Sequence, residues 1–165
     1  MKKASELLSI VFVLMFALFA LGSGEDNNTN INQGTGTAET AESISNIGKY
    51  KGEIKSCRVV KDYTGKDVVI VKYLFTNVSD DDATSFMVAF DDQVYQNGVS
   101  LNASYFLDDS ANYSADNQTK EIKKGASLEV EVAYELNDNT TDIEVEVKEL
   151  FSFNDTVVSK TFSIA

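Results

Sequence analysis

The chain has 165 residues, 43% of them apolar, and a net charge of −12 with a pI near 4.3. That is room for one packed domain with an export segment and a tail. It excludes a nucleic-acid backbone as ligand, which needs a surplus of Lys and Arg, and docking on anionic lipid through a basic patch. With no His, and with Cys57 as the only cysteine, the chain also has no His-based triad, imidazole metal site, internal disulfide or cysteine-rich zinc site.

Residues 1–24 open with Lys2 and Lys3. An apolar run follows from Leu7 to Leu21, and then Gly22, Ser23 and Gly24. This is the layout of a secretory signal, and the run is shorter than the roughly 20 residues that span a bilayer comfortably. Residues 1–24 are therefore expected to be a signal peptide or an N-terminal anchor, the chain's only membrane element. Leu21-Gly22-Ser23 is like the start of a lipobox, but Gly24 stands where the acylated Cys is required. Residues 25–47, rich in Asn, Thr, Gly, Ser and Glu, read as a flexible polar linker.

Residues 48–165 read as one all-β domain. Tyr50 to Val60 is a first strand with a bulge expected near Gly52, and Asp62 to Lys66 is a turn. Asp67 to Asn77 is apolar on both faces, which predicts a central strand. Thr84 to Phe90 is expected to be a strand, Asp91-Asp92 a corner, and Asn97-Gly98 a two-residue hairpin turn. Val99 to Phe106 reads as a weaker strand, and Leu107 to Thr119 as a polar loop crossing between sheets. Ala126 to Leu136 alternates with Leu128, Val130, Val132 and Tyr134 inward and Glu129, Glu131 and Glu135 outward. Asp142 to Phe153 alternates too, with a phase shift near Leu150 that predicts a bulge. Asn154-Asp155 is a turn, and Thr156 to Ile164 closes the chain. About seven to nine strands at this spacing predict an antiparallel β-sandwich of immunoglobulin-like type, with the long loop as its Greek-key crossing.

Tyr50-Lys-Gly-Glu-Ile-Lys-Ser56, Val71-Lys-Tyr-Leu-Phe-Thr-Asn77, Val94-Tyr-Gln-Asn-Gly98 and Glu149-Leu-Phe-Ser-Phe153, in that order, give a chain that resembles an uncharacterised Ig-like domain family. The family occurs in lipoproteins and secreted proteins of Gram-positive bacteria and is similar to telokin-like extracellular domains. The resemblance spans Ile47 to Ile164. It implies an immunoglobulin-like sandwich outside the cytoplasm and brings no catalytic residues.

Carboxylates are the plentiful reactive groups. Asp80, Asp82, Asp91 and Asp108 fall in predicted loops and could meet to hold calcium, which takes about six to eight oxygens. No D-x-D-x-D-G run is present, and the competing reading is that these residues solvate and cap turns. A glycosidase needs two carboxylates at a defined separation, and no pair stands out. Cys57, with Lys55 and Arg58 nearby in sequence, could be a reactive thiol or an intermolecular bridge, and the favoured reading is a small core residue. Tyr95, Tyr105 and Tyr113, around the hairpin and the long loop, could present a surface to a ligand or partner. The expected function is a non-catalytic, exported binding module without cofactor, whose partner is an envelope protein or cell-wall glycan. A structural spacer is the alternative.

Overall fold

In the computed structural model the described residues are 44–164, without Phe106, Asp108 and Asn154. The expected signal or anchor, most of the expected linker, and the calcium candidate Asp108 lie outside them. Eight strands form two antiparallel four-stranded sheets. The first sheet contains β1 (Ile44–Ile47), β2 (Tyr50–Lys61), β3 (Asp67–Asn77) and β6 (Ser127–Glu135), in the order β1-β2-β3-β6. The second contains β4 (Phe90–Gln96), β5 (Val99–Ser100), β7 (Ile143–Glu149) and β8 (Val157–Phe162), in the order β5-β4-β7-β8. This is a β-sandwich. With β2, β3 and β6 as strands A, B and E, and β4, β7 and β8 as C, F and G, the neighbours follow the immunoglobulin order. β5 takes the place of C′. Between β5 and β6, where strand D would run, the chain makes two short 3-10 turns, Asp109–Ala111 and Asp116–Gln118.

β3 is central, as its sequence predicts. It pairs with β2 from Asp67 to Asn77 and with β6 from Val68 to Thr76. Val68, Val69, Ile70 and Val71 are all fully buried. Val69, Val71, Tyr73 and Phe75 face the second sheet in the main core, while Val68 and Ile70 form a smaller outer cluster with Ala111 and Ala133. The crossing loop thus covers the outer face of the first sheet, which is why β3 can be apolar on both sides.

Several expectations change, among them the weaker strand expected from Val99, which as β5 stops at Ser100. The first strand, β1, lies inside the stretch read as linker. The irregularity in β2 falls between Ile54 and Ser56, not at Gly52. Gly52 is explained by packing: a Cβ there would lie 3.1 Å from Ile47 Cδ1 and 3.4 Å from Phe90 Cζ. Thr84 to Phe90 is not a strand, because Phe86–Ala89 is a single helical turn, α1. Its buried residues, Phe86 and Ala89, are three apart, while Met87 and Val88 are exposed, which is helical and not alternating spacing. Asp91 and Asp92 lie within β4 and make no corner. At the other end of the chain β7 stops at Glu149, so the phase shift marks a strand end and Phe151 and Phe153 project into solvent. The Asn97-Gly98 turn forms as expected, with φ of 51° and 73°.

Alternation along β4 points Phe90, Asp92, Val94 and Gln96 inward. Gln96 is buried but satisfied. Its Nε2 donates to the carbonyls of Asp138 (3.1 Å) and Thr141 (2.9 Å), and its Oε1 accepts from the Asn137 amide at 2.8 Å. The same loop is closed by Asp138, whose carboxylate accepts from the amides of Thr140 and Thr141 at 2.9 and 2.7 Å. Those bonds favour the ionised form and lower its pKa to about 2.

Gln96→Leu leaves buried amide and carbonyl groups without partners and is expected to cost about 2–4 kcal/mol in urea denaturation. Asp138 favours the fold above its unfolded pKa, and this contribution disappears as pH falls from 3.8 toward about 2. Asp138→Asn is therefore expected to flatten the acid limb of a Tm-against-pH profile in that window.

Candidate functional site

A cavity of about 360 Å³ opens where β4 and β6 face each other across the sandwich. It is lined by Asp92 of β4, Tyr134 of β6, Phe86, Met87 and Phe90, and by Ser104, Tyr105, Tyr113 and Gln118 of the crossing loop, which in the structure runs from the end of β5 to β6.

The crossing loop is fastened to the edge of β6. The Ser104 amide donates to Ala133 O at 2.8 Å, and the Glu135 amide to Asn102 O at 2.9 Å. Further along, the side-chain amides of Asn117 and Gln118 donate to Glu129 O (2.9 Å) and Glu131 O (2.6 Å). Gln118 Nε2 also donates to the Tyr113 hydroxyl at 3.0 Å, which orients that ring in the cavity wall. Arg58 ties the same loop to the first sheet. It forms a two-pronged pair with Glu131 (2.5 and 3.0 Å) and donates to Asn112 O at 3.0 Å.

Asp92 is the chemically unusual group. It keeps some accessible surface through the cavity but is otherwise enclosed. Burial pushes its pKa up, against a hydrogen bond from the Tyr134 hydroxyl that stabilises the carboxylate; the neighbouring charge of Asp91 also raises it. Burial likewise drives the Tyr134 and Tyr73 hydroxyls well above the usual tyrosine range, so both are protonated donors at neutral pH. The Tyr73 hydroxyl is wholly buried. It stands near enough to Asp92 and Tyr134 for their fields to act on it, yet makes no hydrogen bond of good geometry.

Of the tyrosines singled out in the sequence, Tyr105 and Tyr113 meet in this cavity and Tyr95 does not line it. Tyr105 is 77% exposed and stands at the rim. The described carboxylates weighed as calcium candidates do not gather. Asp80 pairs with Lys124, and Asp91 with Lys148 at 3.0 Å. Asp82 lies exposed in the loop after β3. Among the described residues no three carboxylate or thiol side chains converge as a metal site. Cys57 is half-buried against the main core, and burial raises its pKa. The residue that sequence reading missed is Asp92. The signal for it was alternation: Phe90, Asp92, Val94 and Gln96 share a face once β4 is taken as a strand through the Asp pair.

No curated protein matches the chain. Three solved structures share its fold. One is a candidate lipoprotein of Staphylococcus aureus, 23% identical, covering 74% of this chain and 89% of its own, with a TM-score of 0.56. Another is a candidate lipoprotein of Bacillus subtilis, 16% identical, covering 74% of this chain and 39% of its own, with a TM-score of 0.57. The third is a protein from Enterococcus faecalis, 18% identical, covering 75% of this chain and 91% of its own, with a TM-score of 0.55. A family profile spans residues 25–149, from the stretch ahead of the first sheet to the end of β7, and by that match the chain belongs to the family described as Domain of unknown function (DUF5067).

Proposed function

We propose that this domain is a non-catalytic binding module displayed at the bacterial cell envelope, with an envelope protein or cell-wall glycan as its partner, and that it binds through the cavity over Asp92. The observation that carries this reading is the inward carboxylate itself. An ionised group enclosed among aromatic rings lowers stability unless something compensates it, and proteins keep such groups where they work. Among the described residues Asp92 is the only carboxylate lining the cavity. Asp91 belongs to the opposite face of β4 and pairs with Lys148. A two-carboxylate hydrolytic mechanism therefore has no second partner there, which favours binding over catalysis. The export-like residues 1–24 and the candidate-lipoprotein neighbours support an extracytoplasmic location.

Full-length protein in mild detergent, used as bait on solubilised envelope and separately on purified cell wall, is expected to enrich one protein or glycan over an unrelated sandwich control. Absence of enrichment from both fractions would move the assignment to a spacer domain. A second expectation concerns Asp92→Asn, which keeps an acceptor for Tyr134 and removes the charge. A raised folded pKa means that the wild type loses stability as pH rises from the unfolded value through the folded one. The variant is therefore expected to melt higher than wild type at pH 7, with the gap closing in acid below the ordinary carboxylate range. An equal or lower Tm at pH 7 would show that the charge is already compensated.

A further inference from the structure

Asp91 and Asp92 are adjacent in sequence and opposite in circumstance. Asp91, on the outer face, has a lysine partner. So do Asp67, Asp80 and Asp81. Asp92 faces the cavity, and among the described residues no Lys or Arg lines it. It accepts a hydrogen bond from the neutral Tyr134 hydroxyl, and the neutral Tyr73 hydroxyl nearby also favours its ionised form. Around it stand the rings of Phe86, Phe90 and Tyr105 and the side chain of Met87. When ionised, Asp92 is a negative charge without a Lys or Arg counter-ion, in a partly desolvated space lined by aromatic rings, whose faces attract cations. A neutral hydroxyl could accept or donate a hydrogen bond here but would leave the charge uncompensated. An anion would be repelled both locally and by the chain's net charge of −12. A metal ion would find a single carboxylate, short of the oxygen set that calcium or magnesium takes.

Size narrows the ligand further. About 360 Å³ lies at the small end of ligand pockets, enough for one ring or a short chain. A polymer would enter only by a side group. Tyr105 lines the cavity and is largely exposed, so its ring is accessible to such a group.

We propose that the cavity binds an ammonium group on a short apolar stem, with Asp92 as its counter-ion and the rings of Phe90 and Tyr105 as its walls. This rests on reading the cavity as the binding site of the module. The group could arrive as a free amine or as a lysine side chain of the envelope partner.

The test is titration of full-length protein with benzylamine and with benzyl alcohol, which has nearly the same shape and no charge. The readout is intrinsic tyrosine fluorescence, since the chain has seven tyrosines and no tryptophan. Benzylamine is expected to saturate, and benzyl alcohol to bind at least about tenfold more weakly. Asp92→Asn is expected to abolish the difference between the two while remaining folded, as its Tm reports. Tyr105→Ala, at an exposed position, is expected to weaken benzylamine alone. A short peptide with one lysine, compared with its acetylated form, separates the sources: if only free benzylamine binds, the ligand is a small amine. Equal binding of amine and alcohol, unchanged benzylamine binding by folded Asp92→Asn, or no binding of either amine would overturn the proposal. If envelope capture persists in any of those cases, the binding-module reading stands and only the ammonium assignment falls.

Discussion

With no disulfide to tie its sheets together, this sandwich depends on a cluster of aromatic rings between them. Tyr73 and Phe75 of β3 meet Phe86 of α1 at centroid separations of 5.1 and 6.2 Å, and Phe75 meets Phe90 of β4 at 5.4 Å. Tyr50 closes the group edge-on against Phe75 and Phe90. Each buried ring contributes about 1.5–3 kcal/mol, and edge-to-face contact adds about 0.5–1.5 more. A domain of this size is stable by only about 5–15 kcal/mol in total, so the cluster is a large share of what holds the sheets in register. It also fixes where the cavity lies. Phe86 and Phe90 belong both to the cluster and to the cavity wall, so the ring packing that joins α1 and β4 to β3 also sets the position of Asp92 two residues on.

The inner face of β4 carries two polar side chains, and the fold treats them differently. Gln96 is neutral and is surrounded by the main-chain groups of the turn between β6 and β7, which use both ends of its amide. It behaves as a structural strut. Asp92 is ionisable, among the described residues has no main-chain carbonyl or amide of a neighbouring turn around it, and accepts from the Tyr134 hydroxyl. Buried polar groups that are fully satisfied rigidify a core, while those that are partly satisfied cost stability. The contrast within one strand marks Gln96 as scaffold and Asp92 as the candidate site without appeal to any relative.

Much of this architecture could be read from the chain. The double-faced apolar run of β3, the strict alternation of β6 and the Asn-Gly turn each carry a strong local signal, and the sandwich and its central strand follow from them. The candidate site was less legible. Tyr105 and Tyr113 drew attention by their chemistry, but nothing local says that a crossing loop folds back along the edge of β6 and brings them together. Asp92 was hidden by the assumption that two consecutive aspartates mark a corner. Propensity disfavours Asp in strands, and here tertiary packing of Phe90 and Val94 on either side overrides it. The helical turn at Phe86 was missed for the reverse reason, since a run of apolar residues as short as Phe86–Ala89 fits either period.

The way the crossing loop meets β6 bears on how copies of this protein can behave when crowded. A strand at a sheet margin offers its free main-chain groups to any other strand that comes near, and uncontrolled pairing of that kind builds fibres. Along β6 the carbonyls of Glu129, Glu131 and Ala133 and the amide of Glu135 are already taken by the loop, two of them by side-chain amides that imitate a neighbouring strand's donors. That margin is thereby closed to strand addition. Many copies held side by side can then present their cavities without zipping together along this edge.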